Sequence, residues 1–440
     1  MIPIEQLRRY VQNCDPARPV GPTDPFYVDL DAGEPVRGES GQSCVGQMLR
    51  TLQLADPTGE TCQLFTGFRG SGKTTELRRL AWSLEQDQET PTRTVYVDFY
   101  DYLDLNSPIE VADVLRVLAW CLDREATSAE GRDPDAEPGY LSRLMGFLRT
   151  NVDMKELTVH LAGQSVMMEL RDNPAFKARL AEVLASRFQQ FAREAQQAMR
   201  ESVLRIRKAT GAERVVVIAD SLEKISPVFE HNREAVEISV ESLFLQHARL
   251  LQVPCHIVYT FPSWLRFRTA SFGAHFAQEA VVLPMVRVAA PDGTPYPPGE
   301  RKLIELIRRR IDLPALLGSD AALLPIVRAS GGYPRDLLRL VRELLVQARA
   351  FPAPATEVER VIDRLAEDYA DVVRSTDLDL LVAVARTHGI PVGTTEDLRD
   401  FGDLIERWLV LTYRNGRRWY DLHPLVRRAA VVQQRLAAAP

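Results

Sequence analysis

Cysteine is scarce and unpaired in this sequence. The 440 residues hold only Cys14, Cys44, Cys62, Cys121 and Cys255, an odd number without a CxxC pair. That pattern supports neither a disulfide framework nor a zinc ribbon, and a reducing, cytoplasmic setting is expected. Long apolar runs are missing too. None reaches the ~18 residues that a membrane span needs, and the opening MIPIEQLRRYVQNC has no apolar signal core. Neither processing nor a membrane partner is expected. Charge of one sign is also lacking: 54 Lys and Arg stand against 60 Asp and Glu, a formal net of −6. Nothing global therefore points to nucleic acid or an anionic surface. No self-similarity recurs at a period of roughly 20 to 50 residues, which removes solenoids and propellers.

What is present is an ordinary globular composition, 45% hydrophobic and 26% charged, in a chain long enough for several domains. Residues 1–60, rich in Pro and Gly, read as an N-terminal segment leading into the functional site. Within them FYVDLD (26–31) reads as a strand and CVGQMLRTLQL (44–54) as an amphipathic helix. CQLFT (62–66), TVYVDF (94–99), RVVVIAD (214–220), CHIVYTF (255–261) and VVLPMV (281–286) read as further strands. Helical patterns alternate with them, one in TTELRRLAWSLEQ and one opening at Ser107–Pro108 into IEVADVLRVLAWCLD. A wholly apolar strand suits a parallel sheet covered on both faces, so residues 61–290 are expected to form an α/β unit. A helical insertion is expected at about 139–210, beginning with LSRLMGFLR. From Pro174 towards Gly211, residues Leu180, Leu184, Phe188, Phe191, Ala195, Met199, Val203 and Ile206 keep a helical spacing. A straight helix of that length would span roughly 50 Å. Such a stripe either packs on its own domain or offers an arm to a partner. APDGTPYPPGE (290–300) reads as a linker, 300–350 as helical, and 357–440 as helices closed by the hairpin YRNGRRWY with its Asn-Gly turn.

GFRGSGKT (67–74) completes G-x-x-x-x-G-K-[ST] between a strand and a helix, the context that this motif requires. Glycines let successive N–H groups turn toward phosphate oxygens at a helix N-terminus. Gly67, Arg69, Gly70, Ser71, Gly72, Lys73, Thr74 and Thr75 are therefore candidate nucleotide-binding residues. Lys73 would reach the β- and γ-phosphates and Thr74 would hold Mg²⁺. Asp220, ending a buried strand, is the expected carboxylate on the metal side. The residue after it is Ser221 rather than an acid, and the nearest acid is Glu223. Glu223 either polarises the attacking water or pairs with Lys224. In SGGYPRDLLRL (330–340) a cation, Arg335, sits in the first turn of a helix. That placement opposes the helix dipole and suits a side chain aimed at phosphate.

Taken in order, GFRGSGKT, VVVIADSLEK, VYTFP and GGYPRDLL resemble the AAA+ and STAND branch of P-loop ATPases. The resemblance implies a P-loop NTPase parallel sheet of the additional-strand type, then a helical lid (300–350) and a winged-helix domain (357–440). It implies ATP or ADP with Mg²⁺ as cofactors and slow ATPase turnover. Thr260 and Arg335 would sense the γ-phosphate. Gly332, Tyr333 and Pro334 match the G-x-P motif, in which Pro334 touches adenine. Arg37 and Gly38 match the segment lining the adenine pocket. His423 in LHPLV matches a winged-helix histidine that contacts ADP phosphate and locks the resting state, although Pro424 stands where the family carries an acid.

Two functions are compatible with these residues. One is a nucleotide-dependent switch that regulates assembly or a separately encoded sensor or effector, in a bacterial conflict, defence or signalling system, with homo-oligomers forming on ATP binding. The other is a DNA-directed ATPase of the origin-recognition and loader type, with DNA bound by the winged helix. From residue 357 onward 12 basic residues face 14 acidic ones, which disfavours DNA. The hairpin and tail alone are basic, with Arg414, Arg417, Arg418, Arg427, Arg428 and Arg435 against Asp421.

Overall fold

The computed structural model describes residues 2–38, 43–136, 139–140, 171–226, 230–268, 272, 276, 278–391 and 393–438. Side chains 174–185 and those of residues 230 and 395 fall outside that description, as do LSRLMGFLR and residues 150–170 of the expected insertion.

Five strands, β1 (Thr61–Gly67), β2 (Thr92–Asp98), β3 (Arg214–Asp220), β4 (His256–Thr260) and β5 (Val281–Leu283), form a parallel sheet in the order β2-β3-β4-β1-β5. β4 thus lies between the strand that ends in the glycine loop and the strand that ends in Asp220, which is the additional-strand arrangement. Alternation along β3 explains why it is buried throughout. Val215, Val217 and Ala219 join one apolar cluster, while Val216 and Ile218 join another on the opposite face.

Helix α1 (Ile4–Asn13) precedes the sheet in sequence, as does α2 (Cys44–Leu54), which covers one face of the sheet beside α3 (Lys73–Glu85). The other face is covered by α4 (Val111–Ala129) and α5 (Pro174–Thr210). α4 starts at Val111 rather than at Ser107–Pro108, because Glu110 and Asp113 exchange side-chain and backbone caps there. It runs on to Ala129, into the polar stretch EATSAEGRDPDAEPG (125–139). α5 is not one straight rod: Arg187, at φ −133°, interrupts it. Beyond that kink Phe191, Ala195, Met199, Val203 and Ile206 are buried against the core, so this part of the expected arm packs on its own domain. The Leu180 and Leu184 side chains lie outside the description.

After β3 comes α6 (Arg233–Glu241). Then α7 (Pro297–Arg308), α8 (Pro334–Gln347), α9 (Ala355–Asp371), α10 (Leu378–Thr387) and α11 (Thr395–Glu406) build a helical region that shares one apolar cluster. Tyr10 of α1, Cys14 just after it, and Val28, Leu30 and Val36 belong to this same cluster. The N-terminal segment therefore packs mainly on the helical region. FYVDLD is not a strand: its residues pair with no other strand and its apolar side chains anchor it to that cluster. The antiparallel hairpin β6 (Val410–Asn415) and β7 (Arg417–Leu422) turns at Gly416, φ 66°, as the Asn-Gly pair predicts. α11 docks on the turn after β4, with Phe401 edge-on to Phe267 at 5.2 Å and Asp403 2.9 Å from Arg233 of α6. All five cysteines are free and buried. Among the described residues no helix is long and apolar enough to cross a membrane.

Candidate functional site

β1 carries the glycine loop to the edge of the sheet and α3 leaves it. Gly72 caps α3 at φ 99° and offers no side chain, so first-turn N–H groups stay open to a ligand. Gly70 also has positive φ, at 86°, and a Cβ there would lie 2.6 Å from Cδ of Arg335. The Arg335 stem thus rests on the loop, which only glycine permits. Lys73 is 3% exposed. Its Nζ donates to the carbonyls of Gly67 (3.0 Å) and Phe68 (2.8 Å) and lies 3.2 Å from Glu223 Oε1.

Thr74 Oγ1 donates to Asp220 Oδ2 at 2.8 Å, and the Tyr96 hydroxyl donates to the same oxygen at 2.6 Å. The Ser221 N–H donates to Asp220 Oδ1 at 2.7 Å. Ser221 itself has φ 76°, a left-handed conformation that a non-glycine residue rarely adopts. This bend and the short turn Leu222–Lys224 bring Glu223, two residues late, to Lys73. Lys224 donates instead to Ser221 Oγ at 2.8 Å. Glu223 Oε2 is buried with no hydrogen-bond partner.

The electrostatics separate the two carboxylates. Burial alone would raise Glu223, but Lys73, the Thr260 hydroxyl and Lys224 hold it below its ordinary value. Asp220 is pushed up, first by burial and then by the charge of Glu223, against the hydrogen bonds from Tyr96, Thr74 and Ser221.

A cavity of about 380 Å³ opens over the loop. Arg69, Gly70, Ser71, Gly72, Lys73, Thr74, Thr75, Arg37, Glu223, Pro334 and Arg335 all line it. Asp220 sits directly behind Thr74. Arg37 is buried and donates to Glu76 Oε1 at 2.9 Å and to the Ser71 carbonyl at 3.0 Å, bracing the loop. Tyr333 also clamps the loop through a hydrogen bond from its hydroxyl to the Arg69 carbonyl. Gly332, φ 76°, is forced to be glycine, since a Cβ would lie 1.7 Å from the Val286 carbonyl oxygen.

Four expected site residues do not line the cavity: Gly67 and Asp220, which lie beside it, and Thr260 and His423. Thr260 is fully buried, with its hydroxyl directed at the Ala219 carbonyl (3.4 Å) and at Glu223. His423 is fully buried as well. Its Nδ1 accepts from the Leu425 N–H at 3.1 Å, and Nε2 lies 3.2 Å from Asp336 Oδ2, off the line of a good hydrogen bond. Its ring stacks on Tyr369 at 4.4 Å. The expectation that His423 contacts a phosphate is therefore corrected: Asp336 and two tyrosines surround it, and it joins the first turn of α8 to the end of the hairpin.

Sequence reading missed Tyr96, which carries no local signal, because its partner lies on the neighbouring strand. It also missed the apolar wall from Pro19, Val20, Phe26, Val28, Leu306 and Leu338. Two of these were within FYVDLD, hidden by a period that reads as a strand.

No family model matches the chain, and no curated protein matches it. A similar solved structure is the crystal structure of Cdc6p from Pyrobaculum aerophilum, 13% identical over 93% of this chain and 98% of that one, at a TM-score of 0.33. A likeness at that score carries no weight here, and the fold stands on its own strand order: a P-loop α/β sheet of the additional-strand type with a helical C-terminal region.

Proposed function

We propose that this protein binds ATP and hydrolyses it slowly, as an AAA+-type P-loop ATPase that works as a nucleotide-dependent switch. The observation that carries the reading is Glu223: one oxygen held 3.2 Å from Lys73, the other buried and without a partner beside the cradle. An ionised carboxylate with one unsatisfied oxygen suits a general base that orients water. The loop N–H groups and Lys73 bind the phosphates, and Arg335 adds positive charge where charge develops. The residues present also fit Mg²⁺. Asp220 and Glu223 bring two carboxylates together, and that negative charge adds to burial in raising Asp220. Thr74 and Asp220 would hold the ion, which supplies charge neutralisation of the phosphates when bound. Water activation then consists of proton transfer to Glu223 Oε2 while Lys73 keeps Oε1 in place. A base set two residues late and already engaged by Lys73 is consistent with slow turnover.

Switching would use the first turn of α8. Arg335 lies on the loop, and Asp336, its neighbour, lies against His423. A shift at the nucleotide is thus one residue from the C-terminal helices and hairpin, which we read as a winged helix that responds to the nucleotide. A partner protein or a second copy would read that change. Mass measured in ATP and in ADP tests this. ADP-bound monomers that assemble, or change partner affinity, in ATP support the switch; identical behaviour in both nucleotides removes it. Glu223→Gln tests the chemistry, since it should bind ATP and retain it uncleaved.

A DNA-directed reading keeps one supporting observation, the exposed Arg417 and Arg418 at the hairpin tip. Three of the six tail arginines are already spent in ion pairs: Arg427 with Asp421, Arg428 with Asp363 and Arg435 with Asp379. A gel shift whose salt slope reports several phosphate contacts would restore that reading.

A further inference from the structure

A second cavity, of about 860 Å³, lies beside the first. The two share Pro16, Arg69, Glu223, Lys224 and Arg335 as walls; Gly67 and Phe68 of the glycine loop line only the larger, and Gly70, Ser71 and the first turn of α3 only the smaller. The larger is a half-open cleft bordered by the turn after β3, by α8 and α9, and by Ile405–Trp408 at the end of α11. Its size is that of a small-ligand pocket. Its charge runs against the chain as a whole: eight Lys and Arg side chains line it against five Asp and Glu, in a protein of net charge −6.

The positive charge is concentrated on one element. Arg335, Arg339 and Arg342 recur at spacings of four and three, so they stand in one stripe along α8 facing the cavity. Like charges at this spacing repel and weaken a helix. Compensation is thin: Arg339 meets Asp368 at 2.6 Å and Arg342 meets Asp15 only at 3.9 Å, both at half-exposed positions. Arg335 has no carboxylate partner among the described residues, and its guanidinium lies 5.4 Å above the Trp408 ring. Trp264 and Tyr369 supply further aromatic surface to the same walls. Arginine forks recognise phosphate in a bidentate way, and aromatic faces accept a ring.

We infer that this cavity is a second ligand site, adjoining the P-loop cradle but distinct from it, for a small phosphate-bearing anion of the nucleotide class. Arg339 and Arg342 hold its phosphates and Trp408 offers a face for its ring. Arg335, present in both walls, is the group through which the second ligand and the P-loop nucleotide sense each other. The inference goes beyond the switch reading and does not require hydrolysis.

The test is calorimetric titration of the full chain with inorganic pyrophosphate and, separately, with AMP, in the Lys73→Ala background and in the parent saturated with Mg-ADP. Tryptophan fluorescence is read in parallel. A binding event should persist in both settings. Arg339→Glu with Arg342→Glu should weaken it by about 100-fold, the loss of two charge-assisted contacts. The same double variant should leave Mg-ADP binding at the P-loop intact, which also shows that it is folded. Pyrophosphate alone binding well identifies the source as free phosphate chains, while AMP with quenching of tryptophan identifies a nucleotide; either result supports the site. An event that vanishes with Lys73→Ala and with Mg-ADP, or that survives the charge reversal, overturns it. So does binding of an acidic peptide without binding of either phosphate compound. Failure of the ATPase reading would show separately, as Glu223→Gln without effect on turnover.

Discussion

Two buried aspartates in this molecule each accept from a tyrosine hydroxyl and have opposite character. Asp220 accepts from the Tyr96 hydroxyl at 2.6 Å, and Asp336 accepts from the Tyr369 hydroxyl at 2.6 Å. Asp220 stands beside Glu223 and is raised, first by burial and then by that charge. For Asp336, burial is outweighed by His423 and Tyr369, and its carboxyl is held below its ordinary value. One carboxylate is completed by its protein partners. The other is left with surplus negative charge that only a cation can relieve. Hydrogen-bond donors alone thus do not say what an aspartate is for; the charge of the next group does.

This contrast can be broken experimentally, most severely at the cradle. Glu223→Gln is expected to cut ATP turnover by about 100-fold or more while leaving ATP binding, as general-base loss does; unchanged turnover measured by phosphate release would reassign the base. Lys73→Ala is expected to weaken ATP binding by about 100-fold, through loss of a charge-assisted contact to phosphate. Calorimetry checks it, and retained affinity would sink the loop assignment.

Smaller effects separate the aspartates themselves. Asp336→Asn removes the charged partner of a buried cluster and should cost about 3 kcal/mol in chemical denaturation. Asp220→Asn should leave the stability of the nucleotide-free protein unchanged or raise it, yet abolish Mg²⁺-dependent hydrolysis. Equal losses in both would erase the distinction. The pH dependence carries opposite signs. A raised carboxyl such as Asp220 contributes stability fully below its unfolded value, near pH 4, and loses it as pH rises through the folded value. A depressed one such as Asp336 contributes above its unfolded value and loses it as pH falls through the folded one. Relative to wild type, Asp220→Asn should therefore gain stability as pH rises from 4, and Asp336→Asn should lose least in acid. The smallest effect is that of Tyr96→Phe. Removing one donor from Asp220 should change the Mg²⁺ concentration for half-maximal turnover by about threefold, and no change would make Tyr96 merely structural.

The glycine loop was readable because its elements are contiguous: strand, loop and helix follow in sequence, and each glycine is needed where it stands. The α/β class was readable from apolar strands that alternate with helices. Tyr96 was not, because its function depends on the register that pairs β2 with β3. FYVDLD misled because alternating apolar residues can anchor an irregular segment as well as build a strand. His423 was placed in the nucleotide site by resemblance, but the packing of α8 against the hairpin turned it to Asp336 instead.

The sequence by itself therefore determined a phosphate cradle at residues 67–75, a parallel sheet behind it and an acid in reach of Asp220. Tertiary structure alone decided which oxygen of Glu223 is free, which aspartate lacks a countercharge, and that three arginines of one helix face a cavity. Those outcomes depend on groups brought together from distant parts of the chain, and their energies come from burial and the sign of the nearest charge, neither of which is encoded by any local pattern of residues.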